Sequence, residues 1–282
     1  MEYLKRFPTL EGKHILITGS TSGIGLEAAK DFLYLGATVH FMVRNEAKAK
    51  DCIASIEAEL GHPISTFIHL YDQSNPSSIK ACVDGLKGLH LDVIVLNAGV
   101  YFPKIGASAN GHPLTLQVNA IGTHYCFDCF YALFPEARYV IIDSIAVANP
   151  KKNDYMPYFE RIDESRWKQY RLSKRIAMHI YKLALEQGAN VYMAHPGITK
   201  TNILQSTAPW FKRASQAVLT WATHPAWKAA LCTVEASISQ SENGSYFVPR
   251  GPWQISGYPR KAKVKLKPKQ TKAWAEAYSK LH

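Results

Sequence analysis

Short apolar runs alternate along the chain with longer segments whose apolar residues recur at helical spacing. The apolar runs predict seven strands, at 15–17, 38–43, 64–70, 91–96, 138–144, 190–195 and 244–248. The segments between them predict helices at 26–35, 46–60, 77–86, 166–187 and 226–239, with a further long helix that opens within 110–123. Regular alternation of strand and helix predicts an α/β fold with a doubly wound parallel sheet.

A glycine-rich turn follows the first predicted strand. Gly19, Gly23 and Gly25 are spaced G-x-x-x-G-x-G, and helical apolar spacing begins directly afterwards. Glycines let the backbone turn sharply and let a phosphate approach, while free N–H groups at a helix start hold its negative charge. The order of strand, turn and helix therefore predicts a Rossmann-type dinucleotide site. An ordinary tight turn is the alternative for a bare glycine triplet. The predicted phosphate-binding residues are Gly19, Ser20, Thr21, Ser22, Gly23, Ile24 and Gly25.

The end of the second predicted strand carries Arg44 and Asn45. In a dinucleotide-binding fold this strand end faces the adenosine ribose, where an acidic residue would bind the 2′-hydroxyl of NAD. An arginine fork suits a 2′-phosphate instead. We therefore expect NADP(H) to be preferred over NAD(H). The alternative is that Arg44 is only an exposed residue at a strand end.

Tyr170 and Lys174 are four residues apart in a predicted helix, so they lie on one face, one turn apart. A free tyrosine titrates near 10, and a neighbouring cation favours its phenolate. We therefore expect Lys174 to lower the pKa of Tyr170 towards the range of an acid–base catalyst. Ser144, at the end of the fifth predicted strand, could donate to a substrate carbonyl oxygen. Taken alone, the Tyr170 and Lys174 pair would be an ordinary surface contact of a helix.

The glycine turn, Asn97-Ala98-Gly99, Ser144 and the Tyr170 and Lys174 pair together resemble the motifs of the short-chain dehydrogenase/reductase family. The pattern from Asn110 to Asn119 resembles its retinol-dehydrogenase-like branch, and residues 273–281 resemble the last short helix of that branch. The resemblance implies a catalytic quartet formed by Asn119, Ser144, Tyr170 and Lys174. It also implies cofactor contacts from Asp72, Asn97, Ala98, Gly99, Tyr170, Lys174, Pro196, Gly197, Ile198 and Thr201. Gln73 and Asp143 depart from the family pattern, which has an apolar and a small residue at these positions.

The 282 residues are 47% hydrophobic and 20% charged, which is typical of a globular chain. We expect one domain, 1–282, with a cofactor half at about 10–150, a catalytic and substrate half at about 151–255, and a basic C-terminal tail at about 256–282. The aromatic segment 203–227 could cover an apolar substrate, pack on the sheet or form a subunit interface. The insertion at 149–165 is predicted to form a loop over the site, although a surface loop is also consistent with its sequence.

The formal net charge of +11 is unevenly distributed, because the segment 260–272 has seven basic residues and no acidic one. Such a run suits an anionic membrane surface or a phosphate-rich partner, and a solvated basic tail fits equally well. No nucleic-acid partner is expected. Five cysteines without regular spacing predict no disulfide framework. Cys126 and Cys129 form a C-x-x-C match, but it has no second pair and no nearby histidine cluster, so a metal or redox site is not expected. Because no apolar run could span a membrane and the first residues do not form a secretory signal, we expect a cytoplasmic protein.

These observations predict an NADP(H)-dependent oxidoreductase that interconverts a carbonyl, either aldehyde or ketone, and an alcohol. The expected substrate is small and apolar. A protein of another class, which senses a dinucleotide and regulates a partner without turnover, is the alternative, although the intact quartet counts against it. The sequence leaves open the substrate, the physiological direction and whether the chain forms a homo-oligomer.

Overall fold

The computed structural model describes residues 2–101, 103, 106–199 and 224–281. The strands are β1 His14–Thr18, β2 Thr38–Val43, β3 Thr66–Leu70, β4 Val93–Leu96, β5 Arg138–Ile142, β6 Val191–Ala194, β7 Tyr246–Pro249 and β8 Pro259–Ala262. The helices are α1 Gly23–Tyr34, α2 Glu46–Leu60, α3 Pro76–Asp84, α4 Leu114–Leu116, α5 Thr123–Leu133, α6 Met156–Phe159, α7 Arg166–Glu186, α8 Ala226–Ile238 and α9 Pro268–Leu281. A π-helix, Gln117–Gly122, joins α4 to α5.

The eight strands form one sheet in the order β3-β2-β1-β4-β5-β6-β7-β8. All neighbouring strands are parallel except β7 and β8, which are antiparallel. The strand order reverses direction between β1 and β4, and ligands of open α/β sheets bind at the carboxyl ends of the strands beside such a switch point. The sheet therefore confirms the predicted doubly wound α/β fold and indicates where a cofactor would lie.

Two apolar cores lie on the opposite faces of the sheet. One packs α3, α5, α7 and α9 against residues such as Leu16, Ile94 and Ile141, and the other packs α1 and α8 against residues such as Ile15, Val95 and Val140. Burial on both faces explains why the central strands are continuously apolar. Among the described residues, no helix is long and apolar enough to cross a membrane.

The C-terminal residues differ most from the prediction. The expected basic tail contains an eighth strand, β8, and a helix, α9, that begins earlier than predicted and buries Trp274 completely. The insertion at 149–165 is also anchored, because Tyr155 and Phe159 are buried beside Trp274. The Tyr155 hydroxyl lies 2.7 Å from Nε2 of His179 on α7. Packing against α7 therefore orders both the insertion, which was predicted to be a loop over the site, and the segment that was predicted to be a basic tail.

Candidate active site

Thr18, the last residue of β1, joins the ends of β1 and β4. Its hydroxyl accepts hydrogen bonds of 2.9 Å from the backbone N–H groups of Asn97 and Ala98. The amide of Asn97 donates in return to the backbone carbonyls of Thr18, at 3.0 Å, and Gly19, at 3.2 Å. These bonds bring the glycine turn and the Asn97-Ala98-Gly99 segment together at the switch point.

The glycine turn approaches β4 so closely that side chains would not fit. A Cβ on Gly25 would lie 2.4 Å from the Asn97 amide nitrogen and 2.5 Å from the Gly19 carbonyl oxygen. Gly19 and Gly23 adopt positive φ angles of 68° and 55°. Ser22 precedes α1 without capping it through its side chain, so backbone N–H groups of the first turn remain available to an anion.

Three residues are expected around the adenosine, and they differ in their contacts within the protein. Arg44 is exposed and makes no ion pair or hydrogen bond within the part of the chain that the structure describes. Asn45 instead caps α2, because its side-chain oxygen accepts a 2.9 Å bond from the N–H of Lys48. The Asp72 carboxylate accepts bonds of 2.8 Å and 2.7 Å from the N–H and hydroxyl of Ser74.

Gln73 is a supporting residue whose role the sequence did not reveal. It is buried, and its amide nitrogen lies 3.1 Å from the Ala98 carbonyl, 2.9 Å from the Val118 carbonyl and 3.1 Å from the Thr123 hydroxyl. Its amide oxygen accepts a 2.7 Å bond from Tyr71. Gln73 thus links the end of β3 to the end of β4 and to the π-helix. Its departure from the apolar family pattern was the available signal.

Asn119 lies in the π-helix and is 4% exposed. Its side chain exchanges two hydrogen bonds with the backbone of Val100, accepting from the N–H at 2.7 Å and donating to the carbonyl at 2.9 Å. It also donates to the Ser173 hydroxyl on α7 at 3.3 Å. The helix is distorted around Asn119 into a π-helix, a feature often found at functional sites.

Tyr170 and Ser144 meet at the carboxyl edge of the sheet. Ser144 follows the end of β5 by two residues and lies beside the phenol of Tyr170, on α7, where it lowers the pKa of that phenol. Burial nevertheless raises the pKa of Tyr170 to about 12, because it disfavours the phenolate more than Ser144 stabilises it. Tyr101 and Asp143 raise this pKa further.

The expectation that Lys174 lowers the pKa of Tyr170 is wrong for the chain alone. The Lys174 ammonium donates a 3.0 Å hydrogen bond to the Ile142 carbonyl and lies 5.9 Å from the centre of the Tyr170 ring. Burial lowers the pKa of Lys174, and the nearby Asp143 carboxyl partly offsets this. The ammonium therefore donates to the end of β5, with the Asp143 carboxyl nearby.

Asp143 is an additional ionisable group beside the quartet. It is 2% exposed, its Oδ2 accepts a 3.2 Å bond from the Tyr246 hydroxyl, and its Oδ1 has no side-chain or backbone partner among the described residues. Burial raises its pKa to about 7, against the opposing effects of the Ser144 N–H, Lys174, Tyr246 and Arg175. Its position directly before Ser144 was noted in the sequence, but its surroundings depend on β7.

Two aromatic side chains enclose Tyr170. Tyr101 meets its ring edge-on with 4.6 Å between ring centres, and Trp167 lies nearly parallel at 6.2 Å. Trp167 precedes Tyr170 by three residues on α7, so helical spacing alone places the two rings on one face. Neither aromatic residue was predicted to lie at the site.

The loop after β6 is held by the β7–β8 connection. Gly197 has a φ of 79°, and a Cβ there would lie 2.2 Å from the Ile255 carbonyl oxygen. The Ile198 N–H donates a 2.9 Å bond to that same oxygen. His195 is fully buried, with Nε2 3.2 Å from Gln254 Oε1. Thr201 and most of the aromatic segment 203–227 lie outside the described residues.

Within the described ranges, no group of three or more histidine, cysteine, aspartate or glutamate side chains could hold a metal ion. The five cysteines, Cys52, Cys82, Cys126, Cys129 and Cys232, are free.

The sequence profile of the family described as short chain dehydrogenase matches residues 13–153, which are half of the chain. A short chain dehydrogenase of Aspergillus nomiae is 33% identical over 42% of this chain and 32% of its own length. An uncharacterized oxidoreductase of Schizosaccharomyces pombe is 26% identical over 85% of this chain and 78% of its own. Human retinol dehydrogenase 12 is 26% identical over 71% of this chain and 65% of its own.

Solved structures share the fold. The crystal structure of a putative uncharacterized protein from Mycobacterium paratuberculosis superposes with a TM-score of 0.77 and 20% identity, over 99% of this chain and 96% of that one. A putative 2-deoxy-D-gluconate 3-dehydrogenase from Agrobacterium tumefaciens, solved with bound NADP, superposes with a TM-score of 0.62 and 20% identity, over 82% and 90%.

The chain belongs to the short-chain dehydrogenase/reductase family, in agreement with the resemblance of its motifs. It is an oxidoreductase that acts on CH–OH groups and uses a nicotinamide dinucleotide.

Proposed function

We propose that this dehydrogenase/reductase interconverts a carbonyl and an alcohol with NADP(H), using Tyr170 as acid and base. The observation that carries the proposal is the position of Ser144 beside the half-buried Tyr170 phenol, with Lys174 one helical turn away. All three residues lie at the carboxyl edge of the sheet, next to the switch point between β1 and β4. A hydroxyl pair at this place can contact a single substrate oxygen.

In the reductive direction, Ser144 donates a hydrogen bond to the substrate carbonyl oxygen. When bound, NADPH would supply the hydride that the carbonyl carbon accepts. Tyr170 transfers its phenolic proton to the oxygen, which completes the alcohol. A phenol whose pKa is about 12 keeps its proton at neutral pH, so the chain holds Tyr170 in the form that reduction requires. Oxidation of an alcohol reverses these transfers and requires the phenolate.

Lys174 and Asn119 support this proton transfer. When a dinucleotide is bound, Lys174 would hold a ribose hydroxyl and supply positive charge near the phenol. Asn119 is fixed by Val100 and donates to Ser173, which in turn donates a 2.7 Å bond to the Tyr170 carbonyl. Asn119 would link the site to solvent through a proton relay.

The residues present fit a phosphorylated dinucleotide. The closely packed turn, the uncapped start of α1 and the buried Ser20 hydroxyl, which has no side-chain or backbone partner among the described residues, offer donors to the diphosphate. The free guanidinium of Arg44 would bind a 2′-phosphate and so favour NADP(H). Asp72, Asn97, Ala98, Gly99, Pro196, Gly197, Ile198 and Thr201 complete the proposed cofactor contacts.

The substrate proposed for this site is a small apolar carbonyl compound or alcohol. Tyr101 and Trp167 flank Tyr170 with aromatic surface, which favours apolar groups beside the reacting oxygen.

The direct test is oxidation of NADPH or NADH by the purified chain against aldehydes, ketones and quinones, with the reverse reaction run on the matching alcohols. Turnover that favours NADPH supports the proposal. Tight cofactor binding without turnover in either direction would contradict it and favour a dinucleotide sensor.

The cofactor preference has its own test. Arg44→Ala should raise the KM for NADPH by about tenfold or more while changing the KM for NADH little, because only NADPH carries the 2′-phosphate. Arg161→Ala, at an exposed arginine of the insertion, is the matched control. Equal effects on both cofactors would remove Arg44 from the 2′-phosphate site.

A further inference from the structure

The basic segment at the C-terminus forms a row of lysines instead of a disordered tail. Lys261, Lys263, Lys265 and Lys267 are exposed, whereas the alternating Ala262, Val264 and Leu266 pack against the core. Side chains two residues apart in an extended chain point to the same side, with about 7 Å between them. The four lysines, called here the lysine row, therefore present positive charge along about 20 Å of one side of the segment.

The charges of the lysine row are not neutralised by the protein. None of the four makes an ion pair or a side-chain hydrogen bond within the part of the chain that the structure describes, and the same is true of the adjacent Lys269. No acidic residue occurs between positions 250 and 275. Elsewhere on the surface, exposed lysines such as Lys5, Lys50 and Lys80 are paired with carboxylates. The row is thus a concentrated site for an anionic surface.

An exposed tryptophan lies in the hairpin loop that leads into the row. Trp253 is 82% exposed, in the connection between β7 and β8, which is closed by the 2.8 Å bond from the Arg250 N–H to the Tyr258 carbonyl. Its φ of 48° lies in the left-handed region, which is unfavourable for a bulky residue. The next residue, Gln254, also has a positive φ and is held by His195. The backbone geometry that fixes Gln254 therefore leaves the indole directed outward.

We propose that the lysine row and Trp253 together bind the surface of an anionic lipid bilayer. Lysines near a membrane are attracted by anionic headgroups, and an indole partitions into the interface between headgroups and acyl chains. A row of point charges alone would suit any polyanion. The exposed indole at the start of the row favours a membrane, because a bilayer offers both anionic charge and an apolar layer beneath it.

Protection of an open sheet edge does not account for the whole row. Lysines on an edge strand discourage edge-to-edge aggregation. However, β8 ends at Ala262, and Lys263, Lys265 and Lys267 lie beyond it, where there is no strand edge to protect. The exposed Trp253 would also increase aggregation rather than prevent it.

The test is cosedimentation of the full chain with vesicles of neutral phosphatidylcholine, or of phosphatidylcholine mixed with phosphatidylserine. We expect binding to the anionic vesicles only, with loss of binding when salt is raised to about 0.5 M because the charges are then screened. A double-stranded DNA oligonucleotide of random sequence serves as the polyanion that has no apolar layer.

Three variants assign the binding to its residues. Replacement of Lys261, Lys263, Lys265 and Lys267 by Gln should lower the vesicle partition coefficient at least about a hundredfold. The matched control, with Lys5, Lys50, Lys80 and Lys87 replaced by Gln, removes the same charge and should change it by less than about threefold. Trp253→Ser should lower partitioning about five- to tenfold, and Trp253→Phe should restore most of it. Circular dichroism and thermal unfolding establish that each variant is folded.

No binding to anionic vesicles would overturn the proposal, as would equal losses in the two lysine quartets. The proposal would also be overturned if Trp253→Ser left vesicle binding unchanged and the DNA duplex bound as tightly as the vesicles. The lysine row would then be a general polyanion site.

Discussion

The Tyr246 hydroxyl donates a 3.2 Å hydrogen bond to Oδ2 of Asp143, the residue immediately before Ser144. This bond joins β7 to the end of β5 and holds a carboxyl group among Ser144, Tyr170 and Lys174. Since its other oxygen has no partner among the described side chains and backbone groups, Asp143 is poised to change charge near neutral pH. The pKa of Tyr170, the proposed acid–base catalyst, therefore depends on Asp143, which does not contact the substrate in the proposed mechanism.

The first prediction concerns Asp143→Asn. The Asp143 carboxylate raises the pKa of Tyr170, so its removal should lower that pKa. The ascending limb of alcohol oxidation against pH, which reports formation of the phenolate, should move to lower pH. The measurement is kcat/KM for oxidation across the pH range. Asp84→Asn, at an exposed carboxylate on α3, should leave the profile in place. If the ascending limb of the Asp143→Asn variant stayed at the same pH, the charge of Asp143 would have no effect on the pKa of Tyr170.

The second prediction concerns the support that Gln73 gives to the π-helix. Gln73→Leu removes the donor shared by the Ala98 and Val118 carbonyls and the Thr123 hydroxyl, and it leaves buried acceptors unpaired. We expect the free energy of unfolding to fall by about 1–3 kcal/mol, with a lower kcat because Asn119 is displaced. Chemical denaturation and steady-state kinetics measure the two effects. A loss no larger than that of Gln240→Leu, at an exposed glutamine, would refute this role.

The third prediction concerns Asp31, on the α1 helix. Burial, together with the nearby Glu27, raises its pKa from 3.8 to about 7, and its Oδ2 is buried without a partner among the described residues. The folded state therefore binds a proton more tightly than the unfolded state, so stability is lost as the pH rises from about 4 to about 7. Asp31→Asn should raise the free energy of unfolding by about 2 kcal/mol at pH 8, with no gain near pH 4.

Unfolding titrations at several pH values test this prediction, with the exposed Asp51→Asn as the control. A gain that is the same at pH 4 and at pH 8 would mean that the effect does not arise from ionisation of Asp31.

Local signals in the sequence predicted most of the regular structure. The helix α2 begins and ends as predicted because both ends carry their own signals, Asn45 as the cap and Gly61 with a φ of 74°. Likewise, the glycine turn, Asn97 and Ser144 follow strands whose apolar runs are unambiguous. These features depend on neighbouring residues, which a sequence displays directly.

Features that depend on distant contacts were missed. The strand β8 exists because it pairs with β7, and its alternating lysines resembled a solvated tail. The pKa of Tyr170 is raised and not lowered because the effect of burial outweighs that of Ser144, while the Lys174 ammonium donates to the Ile142 carbonyl. The spacing of Tyr170 and Lys174 gives their shared helix face correctly, but it does not give the direction of the ammonium.

The most direct test of the proposed mechanism is carbonyl reduction by Tyr170→Phe, measured as NADPH oxidation with a substrate that the unaltered protein reduces. Because the variant lacks only the transferable proton, kcat should fall by at least about a hundredfold while the Kd for NADPH changes by less than about threefold. Tyr34→Phe, on α1, is the matched control and should retain full activity. If Tyr170→Phe retained more than about half of the kcat, Tyr170 would not be the acid, and the mechanism would be wrong.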